Sequence, residues 1–595
     1  MMKHRITKTS LLLSVMMVML LLNACKKDFL EKETLSYLNE DAAFTDSARA
    51  EYFVNSRYAN ISFSWNPTTR FDSGNGFSSA SDEAGFSFTL GAPPYSLLII
   101  TGAANPSNTD TKLWTLYYKE VRAANLFLRN KDKIPVTSNY KDQLEGQIRF
   151  LRAWYSFMML KTYGGFPLIG DKVFDEGEKI DVPRSTYEQC VNYIVAECNA
   201  SAALLPPSYD VNNYGRATSG AALALKARTL RYAASPLVNG ASDLSDPEHL
   251  VSYGTYVEDR WRLALDAAQD VIDLDMYNLY QASGTSEDFY NMFLQRNQTG
   301  SNIEHIFAFM RTTGRYLETT WNPLSRGYQN SASGFPTQEL VDAFGMTNGL
   351  PIGDPQSGYQ GDTDPNKMYE GRDPRFYHTI TYNGSSRSFT GYTDAKVWTY
   401  TGVIPEGNAS VSGASLDGIY KSGATATGYY AKKMLYDQSV PGGSENSRPD
   451  VLIRYAEILL SAAEASNELY GPSDDVYGWL AEIRKRAGIP EGAYYYGLKK
   501  KVHTKEELRQ IIQNEWQVEF AYEEHRYWDV RRWKIAPVTE NREIHGMEIT
   551  RAADGSYSYK KIVNRKHVFN TAMYFWPIPQ SEITKSPSLK QNPGY

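Results

Sequence analysis

Apolar residues recur at i, i+3, i+4 spacing, the stripe of an amphipathic helix, over nine stretches of this chain. They cover about 41–58, 111–129, 141–163, 185–203, 217–234 and 258–274, then 449–470, 475–487 and 504–533. Ala, Leu, Tyr and Trp carry the stripes, and several stretches are paired through short Gly/Pro connections. The run Ile148–Lys161, for example, is closed by Tyr163-Gly164-Gly165-Phe166-Pro167. Helix pairs of this size suggest a tetratricopeptide-like scaffold, although no clean 34-residue period is present. Over 60–110 and 275–448 the texture changes to Gly, Ser, Thr, Asn and Tyr with little periodicity. Long irregular segments in compact proteins usually carry function. The pattern therefore predicts a mostly α fold in one integrated body, 41–595. Its helical scaffold lies at roughly 41–60, 111–274 and 449–595, and its loop-rich region at roughly 60–110 and 275–448.

The start of the chain follows another pattern. Lys3, Arg5 and Lys8 precede Leu11–Leu22, an uncharged run too short to span a bilayer comfortably and suited to the core of a secretory signal. Leu22-Asn23-Ala24-Cys25 follows, a small residue before a Cys as in a bacterial lipobox. The expectation is a lipoprotein signal peptide over 1–24, lipid on Cys25 and a lipidated tether over 25–40. Each CH₂ buried by such an anchor contributes about 0.8 kcal/mol.

Composition narrows the function classes. With 42% hydrophobic residues and a mean hydropathy of −0.47, the chain is neither a polytopic membrane protein nor wholly disordered. A net charge of −6 with 22% charged residues gives no footing for a nucleic-acid partner. Cys190 and Cys198 lie on one helical stripe about 12 Å apart, beyond disulfide reach, and read as small buried apolar residues.

Catalytic signatures are missing. Eight His are scattered along the chain, and Glu523-Glu524-His525 lacks the second His a zinc helix needs. There is no Gly-x-Ser-x-Gly elbow and no Walker-type loop. Asp362-Thr363-Asp364-Pro365-Asn366 has alternating oxygen ligands, but Lys367 stands where a calcium loop needs Gly. Glu515 and Glu519, at i, i+4 in an Arg-rich stretch, read as an ion network rather than a glycosidase acid/base pair. No metal and no cofactor is expected.

Aromatics make up 13% of the chain, and Tyr is the commonest. Those in the irregular segments are candidate platforms for sugar C–H faces: Tyr58, Trp65, Phe71 and Phe77 in the first, Tyr316, Trp321, Tyr328, Trp398 and Tyr400 in the second. Trp321-Asn322-Pro323 sits in a turn-prone setting beside Arg315 and Arg326. From position and chemistry the selected ligand contacts are Trp65, Arg70, Trp321, Asn322 and Tyr328.

A series of blocks resembles the SusD/RagB family of outer-membrane nutrient-binding lipoproteins of Bacteroidetes. Besides the lipobox at Cys25, they include Arg149–Phe157 ("RFLRAWYSF") and Ala222–Ala234 ("ALALKARTLRYAA"). The middle supplies Phe335–Ile352 ("FPTQELVDAFGMTNGLPI") and Gly371–Ile380 ("GRDPRFYHTI"). The C-terminal half adds Arg448–Glu468, Asn514–Trp533 ("NEWQVEFAYEEHRYWDVRRW"), Trp576–Ile583 and Gln591–Tyr595. The resemblance implies a SusD-like fold, mostly α, with four tetratricopeptide-like helix pairs plus an irregular ligand-binding region. It implies a non-catalytic protein of the outer membrane, lipid-anchored and facing the cell exterior. Such a protein binds glycan and delivers it to a SusC-like TonB-dependent transporter; a peptide or another nutrient is the alternative cargo, and a surface hydrolase is disfavoured. Arg149, Arg152 and Arg526, inside the signature blocks, are expected to tie helices together through carboxylates rather than touch ligand.

Overall fold

The computed structural model describes residues 40–71, 76–86, 94–175, 177–295, 303–310, 315–328, 333–387, 389–393, 395–402, 417–421, 423–437, 439 and 448–595. The leader, Cys25 and the tether up to residue 39 lie outside the described residues.

Ten helices frame the body: α1 (Ser47–Tyr58), α2 (Lys112–Asn130), α3 (Ser138–Tyr163), α4 (Tyr187–Leu204), α5 (Ser219–Ala234), α6 (Asp259–Ile272), α7 (Tyr455–Tyr470), α8 (Asp474–Arg486), α9 (Lys505–Glu519) and α10 (Arg526–Arg532). Hydroxyl caps set the starts of five of them, and the Asp46 carboxylate caps α1. The Thr137, Thr218 and Ser473 side chains each accept a first-turn backbone N–H, and Thr186 with Gln189 and Thr504 with Glu507 form reciprocal capping boxes. Gly164 ends α3 at φ 77°, pressed so close that a Cβ would lie 2.6 Å from the Leu250 carbonyl oxygen. Only glycine fits that turn.

From α2 to α7 each helix packs on the next, giving the pairs α2/α3, α4/α5 and α6/α7, and α8 and α9 both lean on α7. The mostly α, paired-helix architecture is thus present. Cys190 and Cys198 are buried free thiols inside this stack. The third pair joins helices far apart in sequence, because 273–454 is inserted between α6 and α7. Strand β1 (His305–Met310) and strand β2 (Pro449–Arg454) pair antiparallel, from His305 opposite Arg454 to Met310 opposite Pro449, and close the base of the insert. Around Phe289, Phe293, Leu340, Phe344, Phe376 and Tyr429 the insert builds its own hydrophobic core.

Three sequence expectations need correction. Residues 449–454 form β2 rather than the first turn of α7, since Val451, Ile453 and their neighbours answer β1. The stretch 504–533 is broken between α9 and α10, where Tyr522 and Glu524 adopt φ of 64° and 62°. There the Glu519 and Ala521 carbonyls accept bonds from Lys433 Nζ at 2.8 and 2.9 Å instead of continuing a helix. The third is a hairpin in the C-terminal scaffold, β3 (Glu543–Arg551) against β4 (Tyr557–Lys566), turned at Asp554-Gly555 with Gly555 at φ 89°.

A set of buried charges joins scaffold to insert. Arg454, the last residue of β2, reaches Glu523 at 2.8 Å, Glu304 at 2.9 Å and Glu519 at 2.7 Å. Arg486 of α8 reaches Glu304 at 2.7 Å and also holds Glu519. Arg375 of the insert binds Asp373 at 2.8 Å, Glu515 at 2.6 Å and Glu519 at 3.0 Å. Arg484 meets Glu515, and Lys433 meets Glu523, each at 2.7 Å. Five cations thus face five carboxylates, all buried. Burial alone would raise the Glu519 carboxyl, but the guanidiniums of Arg486, Arg454 and Arg375 hold it well below the usual carboxylate range. The i, i+4 pair Glu515/Glu519 is part of this network.

Removing one partner of a buried ion set leaves its counterparts uncompensated, at about 3–5 kcal/mol. Arg454→Met is expected to cost at least that much in guanidinium denaturation. A loss below about 1 kcal/mol would show that the network does not hold the insert to the scaffold.

Candidate ligand-binding face

The five ligand contacts selected from sequence are buried. Trp321 is 1% exposed, its ring 5.1 Å from that of Tyr522 and its Nε1 against Gly334. Asn322 is fully buried beside it. Trp65 is 5% exposed against the α3 and α10 side chains. Tyr328 is buried and donates its hydroxyl to the Ser439 carbonyl at 2.8 Å. Arg70 pairs with Asp110 and lies 4.0 Å from the Phe63 ring centroid. Side chains in these settings have their faces covered by protein and offer no platform to a sugar. The physical reason is the insert's own core, which draws in apolar rings from segments that read as loops.

The signature arginines sit as follows. Arg152 of α3 contacts Glu197 of α4 at 2.8 Å and the Asn125 side chain of α2 at 2.7 Å. Arg149 reaches Glu197 at 3.0 Å. Arg526 of α10 holds Asp82 through two bonds of 2.7 and 2.8 Å.

A different set of insert residues forms a continuous ladder of rings and guanidiniums. The short strands Ser385–Ser386 and Lys396–Val397 pair and project the intervening turn. Tyr392, at this turn, is 38% exposed. Its ring is 5.1 Å from the Arg326 guanidinium, which is 5.5 Å from Phe389, which is 4.5 Å from Arg387. Arg387 Nε then donates to Asp437 at 2.7 Å, beside the half-exposed ring of Tyr436. The Tyr436 backbone is held by Glu318, itself paired with Arg448. Polar capacity is left over along this ladder. Arg387 Nη1 and Nη2, Arg326 Nε and Asp417 Oδ2 find no hydrogen-bond partner among the described residues, and all of them are buried out of reach of solvent. Asp417 accepts from the Ser325 N–H at 3.2 Å and the Tyr430 hydroxyl at 3.0 Å, yet burial pushes its carboxyl up to about 6.

Chemically, the exposed part of this set is aromatic. The partly exposed rings of Tyr392 and Tyr436 offer flat apolar faces, and the buried guanidinium of Arg326 backs the Tyr392 ring. Sequence reasoning singled out Arg326 as a neighbour but missed Arg387, Phe389, Tyr392 and Tyr436. A signal was present: Thr390-Gly391-Tyr392-Thr393 is a turn that presents a tyrosine.

Two strongly perturbed titratable groups lie elsewhere, around a chamber of about 40 Å³ between α3, α10 and the 520–525 turn. Burial pushes the Glu524 carboxyl up to about 7. Burial, reinforced by Arg228, pushes the Lys161 ammonium down to about 7. Perturbed groups in a cleft are candidates for acid–base chemistry. A buried water needs about 10–15 Å³, so this chamber has room for about two or three waters and none for a sugar ring.

Comparison with known proteins gives a consistent picture. The family model described as the SusD family matches residues 289–595, and one described as starch-binding associating with outer membrane matches 94–230. A SusD-like protein from Bacteroides fragilis is 27% identical with a TM-score of 0.75, over 95% of this chain and 100% of that one. A SusD-like carbohydrate binding protein from the same species is 24% identical with a TM-score of 0.70, over 91% and 99%. Surface glycan-binding protein A from Bacteroides uniformis shares the fold at 19% identity and a TM-score of 0.60, over 92% and 99%. SusD-like protein P2 of Formosa agariphila is 22% identical over 484 residues, 81% of this chain and 80% of that one.

The chamber makes a pH prediction. The folded-state value of Glu524 lies above the ordinary 4.5, so between pH 4.5 and about 7 the folded protein holds a proton that the unfolded chain has released. This contribution is full below pH 4.5 and is lost as pH rises through about 7. Glu524→Gln should therefore gain on the parent by about 2–3 kcal/mol between pH 4.5 and 8, measured by urea denaturation. A difference that stays flat across that range would rule out a buried, proton-holding Glu524.

Proposed function

The chain belongs to the SusD family, and on that premise we propose that it captures glycan at the cell surface and delivers it to a SusC-like TonB-dependent transporter in the outer membrane. The family is one of non-catalytic binding proteins. The observation that carries the glycan reading is the pairing of that membership with two partly exposed tyrosine rings, Tyr392 and Tyr436, in the insert. It is supported by what relatives are described as binding: carbohydrate for the B. fragilis protein and surface glycan for the B. uniformis one. Tyr392 and Tyr436 are assigned as the stacking residues, with the buried Arg326 guanidinium supporting the Tyr392 ring from behind. Lipid on Cys25 is the proposed anchor. Among the described residues no helix is long and apolar enough to cross a membrane.

Stacked sugar contacts contribute about 1 kcal/mol each, so capture is weak and reversible, as delivery requires. Affinity electrophoresis through polysaccharide gels should show retardation without release of reducing ends. Tyr392→Ala and Tyr436→Ala should each weaken binding about fivefold. Retardation unchanged in the double variant would move the site off the ladder. Peptide binding with every glycan blank would replace the glycan reading, and failure of any TonB-dependent transporter to copurify would remove the delivery step.

A further inference from the structure

The scaffold carries an open groove of about 540 Å³, within the roughly 300–1,000 Å³ typical of small-molecule sites. It is built from α2, the segment that follows α3, and the C-terminal residues, and it is separate from the ladder of the insert. Trp114 and Tyr118 of α2 line one side, with the Tyr118 hydroxyl fixed by donation to the Pro167 carbonyl at 3.2 Å. Phe174 and Ile180 line the other, and Ile180 leaves 48% of its surface in water.

The charges of the groove are mostly cationic: Arg122, Lys172, Lys179 and Lys585 against Glu582. Glu582 is engaged by Lys585 at 2.8 Å, and Lys172 by Glu178. Lys179 stands 3.8 Å from Asp181 in an exposed pair of little strength. Arg122 donates to the Phe174 carbonyl and has no carboxylate partner among the described residues. A guanidinium has five donors, and among the described residues Arg122 commits a single one, to the Phe174 carbonyl.

We propose that this groove binds a small aryl carboxylate, its ring among Trp114, Tyr118 and Phe174 and its carboxylate on Arg122. Three aromatic side chains favour a ring over an alkyl chain, because aromatic pairs gain beyond their buried area. The free guanidinium favours a carboxylate, which it binds through two parallel bonds. This goes beyond glycan capture and does not depend on it.

Calorimetric titration of the purified protein with 3-phenylpropanoate, and with 3-phenylpropan-1-ol as its uncharged twin, tests the assignment. The acid should bind one-to-one and about fivefold to tenfold more tightly than the alcohol. Arg122→Gln should abolish that difference while leaving the alcohol's affinity unchanged. Ile180→Asp should weaken both ligands; both changes lie at exposed positions, and an unchanged melting temperature checks that the fold is intact. Absence of saturable binding by the acid, or binding that neither substitution alters, would overturn the proposal.

Discussion

Charge can be buried in a protein only as a matched set, and the ten groups around Arg454 and Glu519 are such a set. Its members come from the ends of both strands at the base of the insert, from α8 and α9, from the turn after α9 and from the insert's own short helix at 374–379. Each element is needed to balance the others. The helical stack and the irregular insert are therefore coupled by electrostatics as well as by packing. The left-handed residues Tyr522 and Glu524 are explained by the same demand: the chain leaves the helix to aim two carbonyls and Glu523 at Lys433 and Arg454.

Periodicity made the scaffold legible. Nearly all of its helices lie where apolar stripes place them, because the forces that define a helix act within a few residues along the chain. The strand Pro449–Arg454 was not legible, since a short apolar run ahead of a helix looks like more helix until its partner, 140 residues earlier, is known. The β3/β4 hairpin was overlooked although alternation and Asp554-Gly555 advertise it. Membership of an ion network was legible for Glu515 and Glu519 from their spacing and Arg-rich setting; which arginines answer them was not, for Arg375, Arg454, Arg484 and Arg486 come from separate segments.

The ligand face shows the same limit more sharply. Trp321 and Tyr392 both sit in turn-prone, polar-flanked sequence. One ring is sealed against Tyr522 and Gly334, while the other stands at the edge of a hairpin. Local sequence cannot separate them, because burial is decided by which distant surface arrives. What separates them is exposure, 1% for Trp321 and 38% for Tyr392.

The insert leaves the scaffold after α6 and returns through a strand paired with its own first strand. Its two ends are thereby held together at a fixed point, whatever lies between. The entropic cost of a longer excursion from such a clamp grows only with the logarithm of its length. Outside the segments that carry Asp373, Arg375 and Lys433 into the buried ion set, residues can be added, removed or rewritten between β1 and β2 without shifting the register of α6 on α7. The arrangement separates the part of the molecule that specifies cargo from the part that must keep its shape, and lets the first diversify while the second stays fixed.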